Sequence, residues 1–138
     1  MSCLFCDIAA GKVPADFVYE DAHSVAFLDH RPLFPGHVLL IPRPHITTLA
    51  GLPKTDVGAF FQVAQHLETA VERAMEADGS FLAINNIVSQ SVPHLHLHVV
   101  PRRKKDGLKG FFWPRIPYRD DAHRQEIAAQ IRRYAAAL

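Results

Sequence analysis

The sequence predicts an α+β domain in which an antiparallel sheet packs against helices. Three observations support this: five short segments rich in strand-forming residues, one long stretch with helical apolar spacing, and short turns between most of the strands. The predicted order is strand, strand, strand, long helix, strand, strand and helix. Strands joined by short turns run antiparallel, and helices then cover the apolar face of the sheet. This order does not determine which strands are neighbours.

The first half of the chain predicts a short helical turn followed by three strands. A glycine and a proline end the turn, a polar Glu-Asp pair separates the first two strands, and prolines bound the third. The four predicted elements are residues 6–10, 17–20, 24–29 and 37–41.

The second half predicts a long helix, two strands at 81–84 and 94–100, and a C-terminal helix. Thr55 or Asp56 can cap the long helix, which runs to about residue 77 before Gly79 closes it. Apolar residues at helical spacing form one stripe on each helix, which predicts packing on that side. The stripes are Phe60, Val63, Ala64, Leu67, Val71, Ala74 and Met75 on the long helix, and Ile127, Ile131, Tyr134 and Leu138 on the last.

Composition favours one cytoplasmic domain over 1–138, with a core over 1–101 and a basic, aromatic tail with a helix over 102–138. The 15 basic and 14 acidic residues nearly cancel, so charge gives no signal for a nucleic acid or membrane partner. No apolar run reaches the roughly 20 residues of a membrane span. The first residues also lack the layout of a signal peptide.

Three of the nine histidines alternate along one predicted strand: His94, His96 and His98. Alternation places three imidazoles on one face, about 6.5–7 Å apart, with the intervening apolar residues in the core. One imidazole of such a row can attack phosphorus while its neighbours donate to phosphate oxygens. H-x-H on a strand is also a common metal-ligand pair, and spacing alone ranks the two interpretations equally.

Cys3 and Cys6 form a C-x-x-C pair near the start of the chain. Two thiolates leave a tetrahedral zinc ion two ligands short. The pair could instead be inert thiols or a redox centre. A redox pair usually opens a helix after a strand, however, and no strand is predicted before Cys3.

Residues 94–100 resemble the signature of the histidine-triad (HIT) superfamily, in which three histidines alternate with apolar residues. The resemblance covers roughly the first three quarters of the chain and includes further segments in family order: residues 3–8, 19–21, 26–29, 35–37, 41–45 and 90–94. It implies a five-stranded antiparallel sheet with one long helix and a C-terminal helix, doubled into a two-fold homodimer. It also implies a hydrolase or transferase acting at the α-phosphorus of a purine nucleotide.

The same resemblance implies individual roles. His96 is the implied nucleophile, forming a nucleotidyl-histidine without a metal in the chemical step. His98 donates to the α-phosphate, His37 supports the row from the neighbouring strand, and His94 completes the catalytic set. The implied substrate-binding residues are Asp29 for the ribose, Asn85 for ribose or phosphate, Gln90 and Ser91 for phosphate or leaving group, and Phe5, Ile8, Phe27 and Leu28 for the base.

The resemblance further implies that the cysteine pair holds a structural zinc ion with two histidines. The implied ligands are Cys3, Cys6, His45 and His94. Such an ion would fix the N-terminus to the catalytic strand. Its loss would destabilise the fold without removing the nucleophile.

The chain departs from the family pattern beside the predicted phosphate site. Residues 87–89 replace a longer, glycine-rich loop, which affects the leaving-group side and the alignment of Asn85. The segment 102–118 is either a solvated basic loop or, with Trp113 and Arg115, a determinant of substrate choice across a dimer interface.

A short leaving group needs only the triad, so a nucleoside phosphoramidate or an acyl-adenylate is the favoured substrate. A dinucleoside polyphosphate, which would need the basic tail, is the alternative. Two other classes remain open: a non-catalytic nucleotide-binding regulatory module, and an enzyme with a catalytic metal on the triad.

Overall fold

The computed structural model describes residues 2–109 and 115–137. The elements are α1 (Leu4–Ala9), β1 (Phe17–Glu20), β2 (Ser24–Leu28), β3 (Val38–Pro42), a 3₁₀ turn (Leu49–Gly51), α2 (Lys54–Ala74), β4 (Gly79–Ile84), β5 (Leu97–Arg102) and α3 (Asp121–Ala136). The chain divides into two compact units, Met1–Asp106 and Gly107–Leu138. Within the described ranges, every helix is too short or too polar to cross a membrane.

The five strands form one antiparallel sheet in the order β1-β2-β3-β5-β4. This confirms the predicted fold class and supplies the strand order, which the sequence pattern left open. β3 is buried along its whole length, as a strand covered on both faces should be. Its pairing with β5 places Leu39 opposite His98, so residues 59 positions apart meet at the centre of the sheet.

Alternate residues of the central strands pack into two separate apolar clusters. One face carries Leu40 and Leu97, which pack with the buried stripe of α2. The other carries Leu39, which packs with Phe5 and Ile8 of α1. The predicted stripe of α2 is confirmed at its four buried members: Phe60, Ala64, Leu67 and Val71. Burial of each of the three larger side chains stabilises the fold by about 1.5–3 kcal/mol.

Several predicted boundaries are wrong for local reasons. α2 begins after Pro53 rather than at a Thr55 or Asp56 cap, and Pro53 makes no side-chain cap bond. It ends at Ala74 because Glu76 takes a left-handed conformation with φ of 50°. Gly79 therefore opens β4 instead of closing the helix.

The predicted strand at 94–100 also begins later, at Leu97. The segment before it forms other hydrogen bonds: the N–H of Leu95 donates to the carbonyl of Ile46 at 2.6 Å, and that of His94 to Val92 at 2.8 Å. His94 and His96 therefore precede β5, and only His98 lies within it.

In the second unit, α3 is capped by Asp120, whose carboxylate accepts from the N–H of His123 at 2.7 Å. None of its described residues is buried, and the predicted apolar stripe is exposed at Ile131 and Tyr134. Arg115 is also exposed. Trp113 and Leu138 lie outside the described residues.

Candidate active site and metal centre

His96 is held by a single main-chain contact that decides its chemistry. Its ring is buried, and Nδ1 lies 2.7 Å from the carbonyl oxygen of His94. Because a carbonyl can only accept, Nδ1 carries the ring hydrogen, and the neutral ring keeps a bare lone pair on Nε2. His96 also lines a cavity. It therefore offers a nucleophilic nitrogen at a binding site.

His98 and His37 form a linked pair beside this ring. Nε2 of His37 lies 2.9 Å from Nδ1 of His98, and the His96 and His98 ring centroids are 5.0 Å apart. Nε2 of His98 is buried and has no hydrogen-bond partner among the described residues. A buried polar atom without a protein partner can form its hydrogen bond with a ligand or an ordered water.

Burial also sets the charge of this pair. It lowers the pKa of His98 to about 4, with a smaller contribution from the nearby rings of His96 and His37. Burial likewise lowers the pKa of His37, although the Asp29 carboxylate acts in the opposite direction. Both rings are therefore neutral at pH 7, and each can donate from one nitrogen and accept at the other.

The cavity has a volume of about 380 Å³, within the range of small-molecule sites. The four residues predicted for the base form much of its apolar wall: Phe5, Ile8, Phe27 and Leu28. Asp29, Ser91, His96 and His98 supply polar groups to the same cavity. The arrangement joins an apolar compartment to a polar end that contains the candidate nucleophile.

Asp29 is positioned by its own loop. Its Oδ1 accepts from the N–H of Arg31 at 2.9 Å, and its Oδ2 lies 3.7 Å from Nε2 of His37. One carboxylate oxygen is thus used to shape the loop. The carboxylate still lines the cavity, where it can accept from a ligand hydroxyl.

Sequence reasoning missed part of the cavity wall. Eight further residues line it: Leu4, Val13, Pro14, Ala15, Asp16, His30, Leu39 and Val92. The signal for residues 13–16 was their position shortly after Gly11, a positive-φ glycine that follows α1, since α1 carries two of the predicted base residues. The apolar character of Val13, Pro14 and Ala15 alone does not distinguish cavity wall from core.

Two predicted substrate residues, Asn85 and Gln90, do not line the cavity. The Gln90 amide donates to the carbonyl of Thr47 at 2.6 Å and accepts from the N–H of Ile87 at 3.1 Å. Gln90 therefore braces the short loop before the histidines. In that loop Ile87 and Ser89 have left-handed φ values of 69° and 63°, a strained conformation for a β-branched isoleucine.

The cysteine pair lies at the first turn of α1. Cys3 is the N-cap, and its sulfur accepts from the N–H of Cys6 at 3.5 Å, so both thiols lie at the same end of the helix. Burial and the neighbouring Cys3 raise the pKa of Cys6. A cation bound at this position would act in the opposite direction and favour the thiolate of Cys6.

His45 and His94 complete a group of four ligands whose atoms all lie within 4.8 Å of one another. Nδ1 of His94 lies 3.4 Å from the sulfur of Cys3 and 3.5 Å from that of Cys6, and Nδ1 of His45 lies 3.3 Å from Cys6. Tetrahedral zinc with ordinary Zn–S and Zn–N bonds would place such atoms about 3.6 Å apart. The four residues fit a zinc ion.

His94 is committed to this centre at both ring nitrogens. Nε2 lies 2.8 Å from the carbonyl of Pro42 and must carry the hydrogen, which leaves Nδ1 bare towards the thiols. The ring is fully buried and does not line the cavity. The ring of His94 therefore does not reach the cavity, and the part of this residue that bears on the predicted catalytic role is its carbonyl, which orients His96.

Comparison with known protein families gives a match to the HIT domain over residues 10–105. An uncharacterized HIT-like protein of Mycobacterium tuberculosis (strain CDC 1551) is 37% identical over 94% of this chain and 95% of its own length.

Two relatives carry named activities. Adenosine 5'-monophosphoramidase HNT1 of Candida albicans is 31% identical over 82% of this chain and 78% of its own. Adenylylsulfatase HINT3 of Arabidopsis thaliana is 35% identical over 77% of this chain and 55% of its own.

Solved structures share the fold, and one of them is Zn-bound. A HIT family protein from Bacillus subtilis superposes with a TM-score of 0.87 at 32% identity, covering 96% of each chain. A Zn-bound histidine triad family protein from Mycobacterium smegmatis is 39% identical, with a TM-score of 0.74 over 99% of this chain and 98% of its own.

Proposed function

The chain belongs to the HIT domain family, and we propose that it is a nucleotidyl hydrolase or transferase acting at the α-phosphorus of a purine nucleotide. The observation that carries the proposal is the geometry of His96. Its Nδ1 donates to a carbonyl at 2.7 Å, which leaves Nε2 bare at the wall of a nucleotide-sized cavity.

In the proposed reaction, Nε2 of His96 attacks the α-phosphorus. The bond to the leaving group breaks, and the leaving group takes the electron pair and a proton from solvent. The His94 carbonyl stabilises the positive charge that develops on the ring. Water then breaks the phosphorus–nitrogen bond, releasing a nucleoside monophosphate and restoring His96.

The cavity supports substrate binding of this kind. The base would lie against the apolar wall that includes Phe5 and Phe27, and Asp29 would accept hydrogen bonds from the ribose. The partnerless Nε2 of His98 would donate to a phosphate oxygen. Ser91 remains at the cavity for the leaving-group side.

Within this reaction class, we propose a nucleoside phosphoramidate or an acyl-adenylate as substrate, ahead of a dinucleoside polyphosphate. A short leaving group requires no contacts beyond the histidine row and Ser91. The names of the Candida and Arabidopsis relatives, a phosphoramidase and an adenylylsulfatase, support a small leaving group.

The group of Cys3, Cys6, His45 and His94 would hold a structural zinc ion. The supporting observations are the ligand distances and the Zn-bound relative from Mycobacterium smegmatis. Bound there, zinc would supply a cross-link between α1 and the segment before β5. No step of the proposed chemistry uses it.

We also propose a two-fold homodimer. β4 is an edge strand of the sheet, and Leu82 on it shares a surface groove with Phe61 of α2, a half-exposed aromatic residue. Sedimentation of the purified chain should give twice its 15.4 kDa mass. A monomer at micromolar concentration would contradict this assembly.

The function is tested by capture of the covalent intermediate. Wild type and His96→Ala are incubated with an adenosine phosphoramidate, and intact mass is measured with AMP release. An acid-labile adenylyl adduct and AMP should appear with wild type and with His66→Ala, a matched control at an exposed histidine outside the cavity, and not with His96→Ala. AMP binding without an adduct or turnover, also with dinucleotide substrates, would favour a non-catalytic nucleotide-binding module.

A further inference from the structure

We propose that the main-chain N–H of Leu33 is a positioning group that determines which nitrogen of His98 carries a hydrogen, acting through His37. The inference rests on the proposed function in one respect: it gives His98 the task of donating to the bound phosphate. The hydrogen placement itself follows from contacts within the protein.

The first contact fixes the tautomer of His37. The N–H of Leu33 lies 3.1 Å from Nδ1 of His37. A main-chain N–H can only donate, so Nδ1 must be the bare nitrogen that accepts. A neutral His37 therefore carries its hydrogen on Nε2.

The second contact determines which nitrogen of His98 carries the hydrogen. Nε2 of His37 lies 2.9 Å from Nδ1 of His98, and because the hydrogen is on His37, Nδ1 of His98 accepts. The only hydrogen of a neutral His98 is then on Nε2, the buried atom without a partner among the described residues. His98 lines the nucleotide cavity, so the chain of contacts ends in a donor prepared for an anion.

The loop that holds Leu33 is closed on itself. The N–H of Asp29 donates to the carbonyl of His37 at 2.9 Å, and the N–H of His37 donates to the carbonyl of Phe34 at 3.1 Å. Pro32 and Pro35 further restrict the backbone. The Leu33 amide is therefore held against the ring, on the same loop that supplies the proposed ribose ligand.

The same contacts argue against a different use of these residues. Asp29, His37 and His98 are a carboxylate and two imidazoles whose ligand atoms lie within 4.8 Å, a set that often binds divalent metals. With Leu33 donating to Nδ1, however, Nε2 of His37 carries a hydrogen and has no lone pair in the ring plane for a metal. The amide therefore favours the phosphate donor over a metal site.

The test replaces the Leu33 amide by an ester, through incorporation of the α-hydroxy analogue of leucine at position 33. This removes the N–H and keeps the side chain. The matched control is the ester at Phe34, whose N–H has no hydrogen-bond partner among the described residues. Nitrogen NMR of labelled histidine reports which ring nitrogen carries the hydrogen, and the His98→Asn variant identifies the His98 signals.

We expect wild type and the Phe34 ester to carry the His98 hydrogen on Nε2. In the Leu33 ester the hydrogen should move to Nδ1 in a measurable fraction of molecules, with kcat for AMP release falling about tenfold or more, towards the ~10²–10³-fold cost of a lost donor. A merely structural role for the loop would lower kcat without moving the hydrogen.

Two results would overturn the inference: a His98 hydrogen on Nδ1 in wild type, or an unchanged His98 tautomer in a folded Leu33 ester. The wild-type spectrum decides the first even if the ester variant does not fold. Because the NMR readout needs no turnover, a wild type without hydrolase activity would defeat the proposed function and leave the tautomer inference to be judged separately.

Discussion

The cysteine–histidine centre and the histidine row share the short segment 94–98 but use imidazole in opposite ways. At the cysteine–histidine centre, the Pro42 carbonyl accepts a hydrogen bond from Nε2–H of His94. Nδ1 of the ring therefore carries no hydrogen and could bind a cation. In the histidine row, the His94 carbonyl accepts a hydrogen bond from Nδ1–H of His96. Nε2 of that ring therefore carries no hydrogen and is the nitrogen proposed to attack phosphorus. Residue type is the same in both. The main-chain acceptor beside each ring decides its chemistry.

The two regions also differ in how they are covered. His45 is exposed and Cys6 only partly buried, whereas His96 is buried behind Phe5, with ring centroids 5.1 Å apart. Phe5 also contacts the ring of His94 at a centroid distance of 6.1 Å. Helix α1 thus connects the two regions. Cys3 and Cys6, at its first turn, belong to the cysteine–histidine centre, and Phe5 packs against His96 in the histidine row. We expect the centre to contribute stability and the row to contribute chemistry.

The largest effect should come from His96→Asn, which removes the nucleophile but keeps a polar side chain. We expect kcat/KM for a phosphoramidate to fall by at least about 10³-fold, because loss of a covalent nucleophile removes a whole pathway. Steady-state kinetics with thermal unfolding of the same sample checks this. If the melting temperature of His96→Asn fell as far as that of Cys6→Ser, a variant of the cysteine–histidine centre, the division of roles between the two regions would be wrong.

Loss of the metal centre should give the opposite pattern. We expect Cys6→Ser, or removal of zinc by a chelator, to lower the free energy of unfolding by more than about 4 kcal/mol, since a structural metal is among the few contacts of that size. Turnover per folded molecule should change little. Denaturant unfolding with metal analysis measures the first, and kinetics well below the melting temperature measures the second. Abolished turnover in a folded, zinc-free sample would favour the catalytic-metal interpretation.

Acid should destabilise the row through its buried rings. Burial places the pKa of His98 at about 4 in the folded chain, below the ordinary value of 6.5. Between these values the unfolded chain binds a proton that the folded chain does not, so stability falls as pH decreases from 6.5 towards 4. Denaturant unfolding across this range, compared with His98→Asn, isolates the contribution. An equal pH slope in both proteins would contradict the assigned burial effect.

The smallest effect should come from the strained loop before the row. Ile87 is 75% exposed with a left-handed φ of 69°, so it gains little from burial in this conformation. Asparagine tolerates this conformation better, and we expect Ile87→Asn to raise the free energy of unfolding by about 0.5–1 kcal/mol. The exposed, regular-helix substitution Gln130→Asn in α3 serves as the control and should be slightly destabilising. A loss of stability in Ile87→Asn would show that the isoleucine side chain has a packing role.

Much of the fold could be predicted because its signals are local. The apolar stripe of α2 and the buried residues Leu95, Leu97 and Val99 were visible as periodicity, and the order of elements followed from turns. Element ends were less predictable. The late start of β5, for example, depends on a hydrogen bond from Leu95 to Ile46, a partner 49 positions away that no local pattern reveals.

Residue identity and spacing were enough to predict the fold class and to establish the family resemblance. Through that resemblance they also predicted the candidate nucleophile His96 and the four candidate metal ligands Cys3, Cys6, His45 and His94. The contacts of each histidine ring depend instead on the tertiary structure. In the folded chain, Nε2 of His94 donates to the Pro42 carbonyl and Nδ1 faces the two thiols. The side chain of Gln90 donates to the Thr47 carbonyl, and the Leu33 N–H donates to His37. These hydrogen bonds are made by main-chain N–H and carbonyl groups, which nearly every residue carries and which therefore leave no signal in the sequence. Only the folded backbone brings a particular N–H or carbonyl next to a particular side chain.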